Sequence, residues 1–305
     1  MTETNQRSGI SLWMQAVRPF SFTASITPII LGTSLAFFEG TSVNFIYFFA
    51  ALFGGILLHA GTNLVSEYYD LKIGADTKKT FGSSKILVDE LMSPARVLRG
   101  GILCFVLATL IGVYLFSQFG VVIVYLGLAG IFGGFFYTAN PVGYKYRALG
   151  EPLVFTLMGP LMVLGAYFVQ TRTVAWTPVW VSIPIAILVA AILSANNLRD
   201  IQDDVNAGFN TLASKMGWAS FAKFYKMMLI SAYVVMIALV GLKIAPIWAL
   251  ITLLSIPPVL KLFKTVGEAS PSTPSDLAII DISTAQFHFL FGLLLTISFV
   301  LGKFF

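Results

Sequence analysis

Two short stretches decide how this chain is read: Asn63-Leu-Val-Ser-Glu-Tyr-Tyr-Asp70 and Asn197-Leu-Arg-Asp-Ile-Gln-Asp-Asp204. Each begins with Asn-Leu and carries acids at helical spacing. Each also closes an apolar run, one over 45–66 and the other over 178–197. A helix that crosses a bilayer needs about 20 apolar residues, and both runs have that length. An acid inside such a run costs on the order of 2.5–3.5 kcal/mol at full depth and less at the interface. The two acidic stretches therefore mark the ends of two spans, and they are out of place unless something uses them.

Working outward, the rest of the 305 residues is of the same character: 57% are hydrophobic and 11% charged, with a mean hydropathy of +0.86. A soluble domain carries roughly 25% charged residues, so a water-soluble globular protein is excluded. Disorder, which needs low hydrophobicity and high net charge, is excluded by the same figures. Apolar runs lie near 20–38, 45–66, 98–117, 119–138, 151–170, 178–197, 220–241, 245–263 and 285–303. They are apolar all round rather than alternating, which argues for helices over a β-barrel. The expected fold is an all-α membrane protein: one domain over 1–305, a bundle of nine transmembrane helices around a central cavity, with pseudo-repeated halves. No early apolar stretch precedes a small-residue cleavage site, so 1–19 reads as a cytoplasmic tail rather than a signal peptide. The single cysteine, Cys104, excludes a disulfide framework and a cysteine-based zinc site. The pI near 9.2 suits anionic lipid headgroups, while so apolar a surface argues against nucleic acid as a partner.

Nine spans put the termini on opposite sides. With the N-terminus inside, sixteen of the 19 Lys and Arg residues fall inside, and Arg172, Lys243 and Lys303 outside. The positive-inside bias fixes the expected orientation: a multi-pass protein of the plasma (inner) membrane, with its C-terminus outside. Thirteen of the 14 acids lie on the same inner side, Glu39 being the exception. One face of the bundle holds nearly all the polar chemistry. Gly267–Asp276, with Pro271 and Pro274, reads as a flexible loop.

Asn63, Glu67 and Asp70 stand at i, i+4 and i+7 and share one helix face. Asp76 follows Gly74, where the chain can turn back toward that face. Asn196, Asp200 and Asp204 again share a face, with Asp203 set to one side. Two groups of like charge converging on one cavity persist when cations lie between them. Magnesium takes oxygen ligands, keeps waters, and typically uses one or two carboxylates together with substrate phosphates. Two carboxylate sets suggest two magnesium ions holding a diphosphate. Basic residues on the same face fit an anion, Arg as a planar fork and Lys as a point charge. Lys72, Lys85, Lys145, Arg147 and Arg199 are the candidates; Lys78, Lys79, Lys223, Lys226, Lys261 and Lys264 are assigned to the positive-inside bias. His59 and His288, inside spans, read as buried hydrogen-bonding residues. Gly54-Gly55, Gly130 and Gly133-Gly134 read as close helix packing.

At this level of detail the chain resembles the UbiA-type intramembrane aromatic prenyltransferases, and within them the menaquinone branch, which prenylates 1,4-dihydroxy-2-naphthoate. That branch carries Asn-Asp-Tyr-x-Asp and then Gly-x-Asp; here the match is Ser66-Glu67-Tyr68-Tyr69-Asp70, then Gly74-Ala75-Asp76. Gly82, Lys85 and Ser93-Pro94 meet the family's Gly, basic residue, Ser/Thr-Pro stretch. A further loop matches at Tyr137-Thr-Ala-Asn-Pro141, Gly143-Tyr144 and Leu149-Gly150-Glu151. The second motif, Asn-Asn-Leu-Arg-Asp-x-x-x-Asp-x-x-x-Gly-x-x-Thr-Leu-Ala, runs from Asn196 to Ala213, and the last span carries Thr284-Ala285 and Gly292-Leu-Leu-Leu. The likeness extends from about Arg18 to the end of the chain. Ser66 and Glu67 replace the family's Asn and Asp, and Val205, Asn206, Phe209 and Asn210 stand where the branch often has basic residues.

The resemblance implies a magnesium-dependent transfer of a polyprenyl group from polyprenyl diphosphate to an aromatic ring. With 1,4-dihydroxy-2-naphthoate, the ring loses its carboxyl group and the product is a demethylmenaquinone. Acceptors of the 4-hydroxybenzoate or homogentisate type are the alternative. On this reading Asp70 and Asp76, assisted by Glu67, hold one magnesium ion, and Asp200 and Asp204, with Asp203, hold the other. Lys72, Lys145, Arg147 or Arg199 help neutralise the leaving diphosphate. Lys85 adds to substrate binding, and Asn63 and Asn197 orient the carboxylates. Tyr68, Tyr137 and Tyr144 can face the allylic cation, although anchoring at the interface is the more ordinary use of such tyrosines. The isoprenoid tail is expected to leave laterally toward lipid. A transporter using the acids as a proton or cation path is the reading from another class. Transporters place ionisable groups near the midplane on broken helices, whereas these acids gather at one interface.

Overall fold

The computed structural model describes residues 8–77, 80 and 84–305, and among them the chain is helical with no strand. Residues 1–7 of the expected tail, and Lys78, Lys79 and Gly82 from the readings above, lie outside the described residues. The tail is not all tail: Gly9–Val17 forms a short helix, α1, capped by the Ser8 hydroxyl on the amide of Ser11 at 3.2 Å.

The spans follow in order. They are α2 (Pro19–Phe38), α3 (Phe45–Lys72), α4 (Pro94–Phe119), α5 (Val121–Phe135), α6 (Gly150–Thr171) and α7 (Thr177–Arg199). Two short helices, α8 (Ile201–Asn206) and α9 (Leu212–Met216), then precede α10 (Trp218–Gly241), α11 (Ile247–Glu268) and α12 (Pro274–Phe304). Eight of the nine are long and apolar enough to cross a membrane, and α5 is a shorter apolar helix. The nine-run reading stands. The segment expected to be a loop at Gly267–Asp276 is shorter, because α11 and α12 extend into it from both sides.

Local chemistry explains several boundaries. Asn44 caps α3 by accepting from the amides of Ile46 and Tyr47 at 3.0 and 3.2 Å, satisfying donors that a helix start leaves open. Pro94 opens α4 at a position where its missing N–H costs nothing. Gly120, at φ 76°, separates α4 from α5 in a backbone conformation that favours glycine.

The packed heart of the bundle lies between α2, α6, α7, α10 and α12. Leu31, Leu35, Val163, Ile185, Phe221 and Phe291 belong to its buried cluster. A second cluster, with Ala16, Leu64, Ile86, Leu87, Met92 and Val97, pins α1 and the segment before α4 onto α3. The two acidic stretches end α3 and α7. The connections that follow them, the turn between α5 and α6, and the start of α12 all meet at one end of the bundle.

Candidate active site

Glu67 and Asp70 sit on the last turns of α3, and both are buried. The hydrophobic run carries them into the body of the bundle, and neither is left bare. Arg18, in the turn between α1 and α2, donates through Nη2 to Glu67 at 3.0 Å. The Ser84 hydroxyl donates to the other oxygen of Glu67 at 2.5 Å, and Gln15 holds the Ser84 carbonyl at 2.6 Å. Arg18 keeps a left-handed φ of 53° to make this reach, an uncommon conformation for a residue other than glycine. Lys145 donates to Asp70 at 2.8 Å, and the Tyr146 hydroxyl donates to the other oxygen of Asp70.

Asp76 closes back on the same face, as its position after Gly74 led one to expect. Its amide donates to the Asp70 carbonyl at 3.3 Å, and its buried Oδ2 has no hydrogen-bond partner. Burial, with the like charge of Asp70, raises the Asp76 carboxyl to about 7.

The second cluster lies opposite. Asp200 accepts from Arg199 through both oxygens, at 2.8 and 3.0 Å. The same guanidinium pairs with Asp281 at 3.0 Å and donates to the Asn196 side chain at 2.6 Å. Asp204 accepts from the Thr211 hydroxyl at 3.1 Å. Burial and Asp200 raise the Asp204 carboxyl to about 6, even though Lys145 pulls the other way. Burial and Asp200 also raise Asp203. The two clusters feel each other, since Asp70 adds to the rise of Asp204 and Lys145 acts on both Asp76 and Asp204. Burial alone would lower the Lys145 ammonium, but Asp70, Tyr146, Tyr137 and Asp76 together outweigh it and the group stands well above its ordinary value. The Tyr146 ring also meets Phe209 at 4.8 Å between centroids, so the turn after α5 bridges the end of α3 and the connection between α8 and α9.

Beneath these groups lies a cavity of about 350 Å³. Asp70, Lys145, Arg18, Asn196, Tyr137 and Asp281 line its polar end, and apolar residues of α3 to α7 line the rest. Among the described residues no three His, Cys, Asp or Glu side chains stand together closely enough to hold a metal ion by themselves. In this arrangement arginine and lysine side chains neutralise the acids.

The other candidates fall into groups. Tyr137 and Lys145 line the cavity. Asn63 lines it too, but donates to the Val17 carbonyl at 2.8 Å and to Ser21 at 3.1 Å, so it braces the Arg18 turn instead of orienting a carboxylate. Asn197 donates to Glu151 at 2.9 Å, tying α7 to the start of α6, away from the acids of its own cluster. Arg199 is buried between Asp200 and Asp281. Lys85 donates to the carbonyls of Thr77 and Thr80 and acts electrostatically on Asp203. Lys72 is exposed, over the rings of Tyr68 and Tyr69, and Arg147 is exposed and donates to the Pro141 carbonyl at 2.8 Å. Tyr68 and Tyr144 do not line the cavity. His59 is hydrogen-bonded as expected, to Ser25 at 2.9 Å and Ser21 at 3.2 Å. His288 is buried, but neither ring nitrogen has a partner, so that expectation fails for it. Arg18, Tyr146 and Asp281 were missed. An acid just ahead of the last apolar run was a usable signal for Asp281; nothing local singled out the other two.

Comparison with known proteins agrees with this geometry. Residues 25–290 match the model of the UbiA prenyltransferase family. The chain is 35% identical to the 1,4-dihydroxy-2-naphthoate octaprenyltransferase of Bacillus subtilis (strain 168), over 97% of this chain and 94% of that protein. It is 33% identical to UbiA prenyltransferase domain-containing protein 1 of Xenopus tropicalis, over 76% of this chain and 67% of that protein. Among solved structures, the UbiA homolog from Archaeoglobus fulgidus bound to GPP and Mg2+ superposes with a TM-score of 0.61 at 15% identity, covering 94% of this chain and 99% of that one. The apo UbiA homolog from Aeropyrum pernix K1 gives 0.62 at 12% identity, covering 87% and 94%. The helical bundle thus has its counterpart among solved structures, and this chain belongs to the UbiA prenyltransferase family.

Proposed function

We propose that this membrane prenyltransferase moves a polyprenyl group from polyprenyl diphosphate onto 1,4-dihydroxy-2-naphthoate, with magnesium, on the cytoplasmic face of the plasma membrane. The carrying observation is the near full-length identity to a bacterial enzyme of that name. It is supported by one cavity that joins a charged end to apolar walls, as a substrate with a diphosphate head and a hydrocarbon tail requires. The gathering of Arg18, Lys145 and Arg199 with the acids at one end supports the inward orientation.

The donor set fits a hard divalent ion. It consists of carboxylate oxygens, one of them the buried and unpartnered Oδ2 of Asp76. Magnesium uses few carboxylates and completes its shell with waters and substrate phosphates, so the lack of a three-acid cluster is compatible with it. Glu67, Asp70 and Asp76 would hold one ion and Asp200, Asp203 and Asp204 the other. When bound, the metal would neutralise the diphosphate as it leaves.

The chain's own residues do the rest. The allylic C–O bond breaks with its electron pair going to the diphosphate, and an electron-rich ring carbon forms the new C–C bond. The ring then regains aromaticity by losing carbon dioxide. Lys145, lying between Asp70 and Asp204, supplies positive charge where the diphosphate oxygens gather it. Tyr137 presents its ring to the cavity near the developing cation. The largely apolar walls keep water from capturing the cation.

The test is product formation, followed by mass spectrometry, from an octaprenyl donor and a panel of aromatic acids, with magnesium or with chelator. Decarboxylated prenyl-1,4-naphthalenediol, or the quinone it oxidises to in air, that needs magnesium and is lost in Asp70→Asn and Asp200→Asn is expected. Prenylation of 4-hydroxybenzoate or homogentisate alone would reassign the acceptor. Full turnover by both variants would refute the roles given to the acids.

A further inference from the structure

We propose that an open pocket between α1 and the start of α4 seats the headgroup of an anionic phospholipid. It lies outside the acidic cavity and does not depend on the transfer reaction. Its walls come from Trp13 of α1 and from Ser93, Arg96, Arg99, Gly100 and Leu103 around the first turns of α4, and it measures about 470 Å³. Gly100 leaves a notch on α4, and the indole of Trp13 fills it: a Cβ there would lie 2.5 Å from the ring. Trp13 belongs, with Leu12 and Val17, to the side of α1 that packs onto the second cluster. The fixed indole carries the Arg96 guanidinium at 5.7 Å from its centroid, within the range of a cation–π contact.

The two arginines of this pocket have no acid to neutralise them. Arg96 and Arg99 are exposed, and among the described residues neither joins an ion pair. No carboxylate is among the described residues that line the pocket, and Asp89 and Glu90, on the segment before α4, are not part of it. At the same end of the bundle the other arginines of the helix ends are engaged, Arg18 by Glu67 and Arg199 by Asp200 and Asp281. Ser93, at the N-cap of α4, makes no side-chain bond to the helix amides, although that is the usual task of a serine there. Two guanidinium forks and an unused hydroxyl around one pocket suit the oxygens of a phosphate.

The surface below the arginines decides which phosphate. Arg96, Arg99, Leu103, Val106 and Leu110 stand at i, i+3, i+7, i+10 and i+14 and share one face of α4. The three apolar residues are about half exposed or more, and on a membrane span such residues face lipid. From Arg96 to Leu110 is roughly 21 Å at the rise of an α-helix, enough to accompany an acyl chain through one leaflet of a core about 30 Å thick. On α1, Ile10 and Met14 share an exposed apolar face at i and i+4; a short amphipathic helix with such a face lies among headgroups, where tryptophan is also favoured. The occupant therefore joins a phosphate to acyl chains, and two unneutralised arginines select a headgroup of net negative charge over a zwitterion.

The experiment is a lipid titration of the full chain in detergent, read by native mass spectrometry. The probes are dioleoyl phosphatidylglycerol, dioleoyl phosphatidylcholine and inorganic phosphate. Wild type is compared with Arg96→Gln/Arg99→Gln and with Lys261→Gln/Lys264→Gln, which removes the same charge from exposed lysines of α11. We expect the affinity for phosphatidylglycerol to fall about thirtyfold in the arginine variant, the contribution of two basic residues beside an anionic lipid, and to stay within about threefold in the lysine variant. Equal losses in the two variants would trace the binding to the general positive charge of that end and overturn the site, as would no loss in the arginine variant. Phosphatidylcholine bound as tightly as phosphatidylglycerol, or phosphatidylglycerol displaced by inorganic phosphate, would overturn the anionic lipid as occupant. Arg96 rests on Trp13, so Arg99→Gln alone covers the case in which the double variant does not fold. It should lose about fivefold, and an unchanged affinity would again overturn the site.

Discussion

Replacing Arg199 by methionine should destabilise the protein more than any other single change at the acidic end. The guanidinium is 1% exposed and touches Asp200 on one edge and Asp281 on another, both at 3.0 Å or less. Removing it leaves two largely buried carboxylates facing each other across the space it filled. Carboxylates on two edges of one guanidinium are on the order of 5 Å apart, which at an effective dielectric near 20 gives a repulsion of about 3 kcal/mol. Breaking a buried pair by deleting one partner typically costs about 3–5 kcal/mol, so the two routes agree. Asp281→Asn removes only one charge-assisted bond and should cost about 1.5–3 kcal/mol. The double variant should then recover about 1–3 kcal/mol relative to Arg199→Met, because the repulsion is gone. Unfolding of membrane proteins is often irreversible, so the assay is the half-life of the monodisperse species in detergent at fixed temperature. An Arg199→Met variant within about 1 kcal/mol of wild type would refute the view that this guanidinium is the common counter-ion of the second cluster. So would a double variant less stable than either single one.

Two further outcomes follow from the same end of the bundle and from its packing. In chelator, the protein should lose stability as pH rises. Asp76 and Asp204 stand near 7 and 6, above the ordinary 3.8, so the folded state favours their protonated forms. That contribution is complete below about pH 4 and is lost as pH passes through 6 to 7. Magnesium at a hundred times its Kd should return about 2.7 kcal/mol at pH 8, and a melting temperature in chelator that rises from pH 5 to pH 8 would contradict this. Separately, Gly32→Ala should cost about 1–3 kcal/mol by overpacking. Its Cβ would press into the Val163 backbone carbonyl and lie 2.9 Å from Ala166. Neutral behaviour in thermal unfolding would show that α2 and α6 can separate there.

Much of the fold was legible because lipid imposes one demand, an unbroken apolar helix, and the sequence states it nine times. The departures have local causes. The run read as 119–138 stops being helical at Phe135, because the next residues turn over the site, with Lys145 donating its amide to the Tyr137 carbonyl at 2.9 Å. The run read as 45–66 stays helical to Lys72, because its acids are held by Arg18 and Lys145 instead of being solvated. The spacing of Glu67, Asp70, Asp200 and Asp204 identified the acids. It did not identify their partners, since Arg18 is 49 positions from Glu67 and Lys145 is 75 from Asp70. Periodicity reports which residues share one helix, and says nothing of which helices face each other. Tyr144 was named on motif alone, yet it is Tyr146, two positions on in the same turn, that reaches Asp70.

The pairing of the acids gives the site its logic. Each cluster sits where the membrane makes bare charge costly, and each is neutralised from a different part of the chain. The first takes its cations from the turn before α2 and the turn after α5, the second from within α7 itself. Lys145 acts on carboxylates of both clusters. A ligand of high negative charge arriving between them, with its metal, would compete for that ammonium and for the carboxylates at once. Binding would then exchange internal ion pairs for external ones at little net change in buried charge. On the proposed function this would account for acids and bases being packed together at one end of an otherwise apolar bundle: the bases would keep the acids in place until the substrate took over their partners.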